Sequence, residues 1–221
     1  MQNRGSGQTG RAFKAGKGAS GKDRAAQAAA RREAILNAAL AEFSANGFSA
    51  TRLDDVAKRA GVAKGTIYLH FADKEALFQE IVRSMLSPLV GRLEELGNVD
   101  LPLRAVIERI VELFIQEILE TDRKNILRLI ITEGPRFPNI AEFHYKQVIV
   151  RALKALQIVT ERAVERGELK HDALARFPQL VFAPALMTIV WNSLFERFSP
   201  LDARALMRAH LDILFLERTL Q

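Results

Sequence analysis

The sequence predicts an all-α protein, with an N-terminal three-helix helix-turn-helix domain followed by a C-terminal helical bundle. Three observations carry this. Apolar residues recur at helical spacing from Ala25 onward, no stretch shows sustained apolar/polar alternation, and no repeat of 20 to 50 residues recurs. With 48% hydrophobic residues in a 221-residue chain there is enough apolar side chain for a packed core. The chain has no cysteine, so a disulfide scaffold, a cysteinyl metal site and a thiol nucleophile are all excluded. The basic N-terminus has no apolar stretch of the kind a signal peptide needs. The most apolar run, residues 180–191, contains Pro184 and is shorter than the roughly 20 residues that span a bilayer. A cytoplasmic protein without membrane partners is expected.

The elements follow in order. Residues 1–27 form a leader rich in Gly, Ser, Lys and Arg with Phe13 as its one large apolar side chain, a composition that reads as a disordered basic arm. The net charge of +6 is concentrated there: residues 1–32 hold eight basic side chains against Asp23, and the remainder is almost neutral. Such an arm suits either attraction to nucleic-acid phosphates or simple solubilisation. A first helix is predicted over residues 28–45, burying Ile35, Leu36, Ala39, Leu40 and Phe43 and ending at Asn46-Gly47. Thr51 with Asp54 three residues on has capping-box spacing for a short second helix that Gly61 ends. A third helix covers residues 64–70. Asp73 caps a fourth that continues to Leu96, with Gly97-Asn98 closing it.

Further helices are predicted over residues 102–120, 122–133, 138–166, 172–198 and 200–219, with a late start or kink where Pro178 and Pro184 fall. Ser199-Pro200-Leu201-Asp202 reads as the last restart, with Ser capping and Pro at the first helical position. The helix-turn-helix domain is assigned residues 28–78. A larger helical bundle takes 79–221.

The segment TRLDDVAKRAGVAKGTIYLHF, residues 51–71, carries the functional signal. Two short helices joined by a tight turn need a small residue at their crossing, a glycine free to take positive φ, and an apolar pin. Ala57, Gly61 and Ile67 supply these in order. Lys64, Thr66, Tyr68 and His70 are left facing outward on a helix about 10 Å long, a fit for a DNA major groove. The same pattern also suits an ordinary αα-corner.

Beyond that pattern, the stretch ILNAALAEFSANGFSATRLDDVAKRAGVAKGTIYLHFADKEALF, residues 35–78, resembles the DNA-binding domain of the TetR family of bacterial transcriptional regulators. The resemblance implies that Lys64, Gly65 and Tyr68 approach base edges while Thr66, His70 and Lys74 hold phosphates, with Thr51 mainly a cap and a phosphate contact open to it as well. Two positions depart from the family pattern: Arg52 stands where a small hydroxyl residue is common, and Leu69 where a second aromatic is common. Arg52 then offers a phosphate contact. RLIITEGPRFPNIAEFHY, residues 128–145, and the stretch over 177–215 resemble the effector domain of the AefR-like subgroup. That resemblance implies a homodimer, a double-stranded DNA operator as partner and a small-molecule site in each bundle.

For the effector, Phe114, Ile118, Leu127, Phe137, Phe143 and Trp191 are the candidate walls, with Arg136 and His144 as polar anchors; a mostly apolar compound is expected. Aromatic residues at helical spacing serve equally as plain core. Transmission to the DNA-binding domain is expected through the fourth helix. The last two helices are expected to pair with their symmetry mates through Leu186, Ile189, Leu194, Leu206, Leu211 and Leu214. The four histidines show no metal-ligand spacing, and no GxSxG, GxGxxG or P-loop is present. A cofactor, a metal and an enzymatic role are therefore not expected. The competing readings are a helical-bundle enzyme or carrier and a sequence-indifferent DNA binder using the arm.

Overall fold

A computed structural model describes residues 21–169 and 172–215. Among these every regular element is helical: α1 (Gly21–Ala50), α2 (Leu53–Ala60), α3 (Lys64–His70), α4 (Lys74–Met85), α5 (Ser87–Gly97), α6 (Leu103–Phe114), α7 (Lys124–Glu133), α8 (Pro138–His144), α9 (Val150–Glu165), α10 (Ala173–Arg176), α11 (Ala183–Phe195) and α12 (Ala203–Leu214).

The head is built by α1 packing on α2 and α4, with α3 held against α2. Ile35, Ala39, Phe43, Val56, Ile67, Leu77, Phe78 and Ile81 are all at most 1% exposed and fill its core. Phe43, Phe48 and Phe78 form an aromatic triangle with centroids 5.2–6.0 Å apart. α1 begins at Gly21, so residues 21–27 of the expected disordered arm are helical; that helix is exposed through Glu33 and Ala34. Residues 1–20, which hold the rest of the arm, lie outside the described residues. Gly47 has φ 76°, the positive value its position after Asn46 predicts, and it breaks the helical path before Phe48.

Thr51 does not cap α2. Arg52 stands at the cap position, and the Thr51 hydroxyl donates to the carbonyls of Gly47 (2.8 Å) and Glu42 (3.2 Å), closing the end of α1. Asp73 caps α4 as predicted, accepting from the Ala76 N–H at 2.8 Å.

The expected long fourth helix is two helices. Pro88 lacks an N–H and its ring crowds the carbonyl one turn back, so α4 stops at Met85 and α5 restarts at Ser87. Leu86, at the break, is turned inward and 3% exposed. The expected domain boundary after residue 78 therefore falls inside α4.

The bundle is α5 to α12, with α5 on α9 and α6 and with α11 on α12 and α7. α6 runs into a π-helical turn, Ile115–Leu119, and a second, Tyr145–Ile149, joins α8 to α9. A π turn inserts a residue and re-aims the side chains after it. Pro178 divides the expected 172–198 helix into α10, a 3₁₀ turn (Pro178–Val181) and α11. At the last restart Asp202, not Ser199, is the cap, accepting from the Ala205 N–H at 3.0 Å. Arg204 bridges Glu112 (2.6 Å) and Glu120 (2.9 Å) and so fixes α12 against α6. No helix of the described residues is long and apolar enough to cross a membrane.

Candidate nucleic-acid interface and ligand cavity

The outer face of α3 is set by its one buried residue, Ile67, and by the turn before it. Gly61 sits in the left-handed region (φ 66°, ψ 30°), and the Val62 N–H closes back on the Ala57 carbonyl at 3.0 Å. With Ile67 pinned inward, Lys64, Gly65, Tyr68, Leu69 and His70 are exposed and Thr66 is half-buried. Nothing lies within 4 Å of where a Cβ on Gly65 would stand, leaving its backbone open to close approach. Lys64 pairs with Asp54 at 2.7 Å, and that hydrogen bond raises its pKa, keeping it a cation. Its ammonium also lies 5.7 Å from the Tyr68 ring centroid. A solvated pair of this kind exchanges readily for another acceptor. Arg52 is exposed at the start of α2, beside this face.

Two residues assigned to DNA from the sequence have inward duties instead. Thr51 is 4% exposed with its hydroxyl engaged on α1, which leaves it no reach to a phosphate. The Lys74 ammonium donates to the carbonyls of Phe48 (2.8 Å) and Ser49 (2.6 Å) and lies 5.0 Å from the Phe48 centroid. It ties the start of α4 to the end of α1, where a cation also meets the negative end of the helix.

A cavity of about 250 Å³ lies inside the bundle between α5, α6, α7 and the α8–α9 segment. Of the walls expected from the sequence, Phe114, Ile118, Leu127 and His144 line it. Arg136, Phe137, Phe143 and Trp191 do not. Phe137 packs edge-on against Phe48 at 4.8 Å, with Arg136 5.9 Å from its centroid; Phe143 lies under Arg83 at 5.3 Å. Trp191 packs edge-on against Phe195 and donates from Nε1 to the Ser199 carbonyl, while Asn192 bridges the Leu201 backbone in both directions, so these two side chains hold the α11–α12 loop. Walls not anticipated include Leu86 and Leu93 around the Pro88 break and Val148 and Ile149 in the second π turn. The signal for Leu86 was present, because Ser-Pro within a helical run marks a restart; a π turn has no comparable residue signature.

His144 is 5% exposed and its Nδ1 has no hydrogen-bond partner. Burial disfavours the imidazolium and lowers its pKa from 6.5 to about 4. The unfolded chain therefore takes up this proton near pH 6.5 and the folded chain only near 4. The folded state keeps its full stability above 6.5 and loses it as pH falls through that window, by about 3 kcal/mol at pH 4. Urea unfolding at pH 7 and pH 4 should show a smaller loss in His144→Phe than in the parent. Equal losses in the two proteins would rule the effect out.

The residues expected at a dimer interface divide. Ile189 (8% exposed) and Leu211 (5%) belong to the protomer core and offer no outward surface, and Leu206 and Leu214 are half-buried. Leu186 and Leu194 are exposed, with Leu186 also bordering the cavity. Met187, Val190, Phe195, Phe198 and Ile213, not anticipated, extend the exposed apolar face.

Comparison with known proteins places the two halves. A family model for bacterial regulatory proteins of the tetR family matches residues 35–81, and one for the C-terminal domain of AefR-like transcriptional repressors matches residues 105–213. The chain belongs to the TetR family. Its relatives include the HTH-type transcriptional regulator SrpR of Pseudomonas putida, 31% identical over 146 residues, 66% of each chain. The HTH-type transcriptional repressor KstR2 of Mycolicibacterium smegmatis is 26% identical over 152 residues, 68% of this chain and 73% of that one. The chain spans 66% of SrpR and 41% of YhgD of Bacillus subtilis. Among solved structures, FadR of Bacillus subtilis in complex with stearoyl-CoA superposes with TM-score 0.69 at 20% identity, covering 83% of this chain and 97% of that one. The SmeT–triclosan complex gives 0.68 at 23% identity, over 84% and 90%. These likenesses identify the fold as that of TetR-type regulators: a helix-turn-helix head on a helical C-terminal domain. The TetR family is one of transcriptional regulators, not of enzymes.

Proposed function

We propose that this TetR-family regulator is a dimeric repressor that grips a pseudo-palindromic operator with two α3 helices and lets go when a small, mostly apolar effector enters the bundle cavity. The observation that carries this is the coexistence in one chain of an exposed reading helix and an apolar cavity whose wall begins at Leu86, the residue that ends α4. In the head, Lys64 donates to guanine O6 and N7, Gly65 allows backbone approach and Tyr68 meets a base edge. Thr66, His70 and Arg52 take phosphates. The second copy covers the exposed face of α11 and α12, and one dyad sets the two heads about one DNA turn apart.

For the effector, the cavity of about 250 Å³ lies just below the usual range for ligand sites, about 300–1,000 Å³. Stearoyl-CoA in FadR carries a long alkyl chain and triclosan in SmeT is an apolar aromatic compound, and support comes from the apolar part that the two share. The cavity would take a compact molecule or one alkyl chain.

The test begins with footprinting of bound genomic sites to obtain the operator. Tyr68→Ala and Lys64→Ala should then each lose about 1–3 kcal/mol of discrimination between operator and scrambled duplex, with the unfolding midpoint unchanged. Anisotropy titrations in which both variants discriminate as well as the parent would remove α3 as the reading helix.

A further inference from the structure

The cavity contains one polar side chain in an otherwise hydrocarbon wall. His144 ends α8 where the π turn begins, and every other lining side chain among the described residues is aliphatic or phenylalanine. Its ring is almost fully buried, and Nδ1 is without a partner. A core histidine that serves packing alone normally has its nitrogens satisfied, by protein or by ordered water. A resident water needs two to four polar partners, and this wall offers a single one. The His144 ring is thus the one polar side chain in this wall that a hydrogen-bonding group brought by the ligand can meet.

Resting on the reading of this cavity as the effector site, we infer that His144 selects the ligand, and that the ligand is a neutral, compact apolar molecule carrying one hydroxyl or similar hydrogen-bonding group. Charge is excluded by the wall. A carboxylate or ammonium group would be buried with no counter-ion, since the nearest charged groups of the same segment, Glu142 and Lys146, pair with each other at the surface. A neutral imidazole has one donor and one acceptor nitrogen. A hydroxyl both donates and accepts, so it can pair with the imidazole in either tautomer. A pure hydrocarbon fills the same volume but offers the imidazole no partner, and binds more weakly for that reason.

A matched series separates these terms: 4-octylphenol, octylbenzene and 4-octylbenzoate, titrated calorimetrically at pH 7.5 into the full-length protein and into His144→Phe, which keeps an aromatic ring of similar volume. The parent should bind the phenol about tenfold more tightly than the hydrocarbon, and the benzoate more weakly than either. In His144→Phe the phenol and the hydrocarbon should bind alike. Independently of whether that variant folds, the ¹⁵N resonances of the His144 ring in the parent should shift with the phenol and not with the hydrocarbon. Equal affinities for phenol and hydrocarbon in the parent, or a preference that survives His144→Phe, would overturn the role of His144 while leaving the cavity as a site. Binding of no member of the series would overturn the cavity itself, and the inference with it.

Discussion

A chain carrying Leu194→Asp and Phe198→Asp together should sediment as a monomer at micromolar concentration, keep its helical content, and bind operator at least about a hundredfold more weakly. The fold survives because neither side chain supports the protomer: Leu194 is 62% exposed and Phe198 71%. The association fails because α11 is apolar nearly all round, and a helix of that kind is covered on more than one side. Within the protomer, Ala185 and Ile189 face the core; Met187, Val190, Leu194 and Phe195 face away from it, with Ile213 of α12 alongside. A two-fold contact doubles every substitution, so four carboxylates would be desolvated at short range. Losing the second head then removes the local concentration it contributed, a factor of about 10²–10⁴. A dimer that persisted at low micromolar concentration would exclude this face. Leu211→Asp makes the contrast: it lies in the core at 5% exposure, so it should unfold the protomer instead of separating the pair.

Leu211 and Leu194 look alike in sequence, and this illustrates which features can be read there. Helical periodicity identifies an apolar face but does not say whether the same chain or another covers it. The head was legible because its determinants are local. Gly47 and Gly61 take the backbone conformations that few other residues adopt, Asp73 caps the helix that follows it, and Ala57 and Ile67 pack within a few residues of one another. Thr51 escaped because capping depends on a shift of one residue, which moved the role to Arg52 and left the Thr51 hydroxyl to α1. In the bundle, position on the helix decides. Phe143 and His144 are adjacent, so about 100° separates their directions; His144 turns into the cavity and Phe143 lies under Arg83 of the head. The two π turns shift this phase again, and no residue pattern announces them.

Phe137→Ala should disconnect effector from operator while leaving each binding event nearly intact. The cavity does not include Phe137, so ligand affinity should hold, and α3 lies far from it in the chain, so the free protein should bind operator within about threefold of the parent. What the substitution removes is the aromatic contact at the α7–α8 corner, the point where the packing of α7 on α1 and of α8 on α4 converges on the head. α7 brings Leu127, Ile130 and Ile131 to the cavity wall, and ends at the corner where Phe137 meets Phe48 at 4.8 Å. Phe48 is fully buried against Phe43 and Phe78 and is gripped by Lys74, so a shift of α7 reaches the end of α1 and the start of α4 together. Asn139 of α8 adds a hydrogen bond to Glu75 of α4 at 3.2 Å. The fourth helix is thus engaged from both ends, by Leu86 at the cavity and by this corner at its first turn; the sequence pointed to the fourth helix as the connection but to neither contact. Effector coupling in regulators of this kind is worth about 1–3 kcal/mol, and a tenfold release needs about 1.4. Truncating one half-buried ring at the junction is enough to remove most of that, at about 2 kcal/mol of stability. Operator release by a saturating effector should fall from tenfold or more in the parent to about twofold in Phe137→Ala. Tyr145→Ala, an exposed aromatic eight residues on, should release as the parent does. Anisotropy titrations with and without effector decide the matter: full release from Phe137→Ala would show that the signal does not need the corner and travels by Leu86 or by the direct packing of α7 on α1 and α8 on α4.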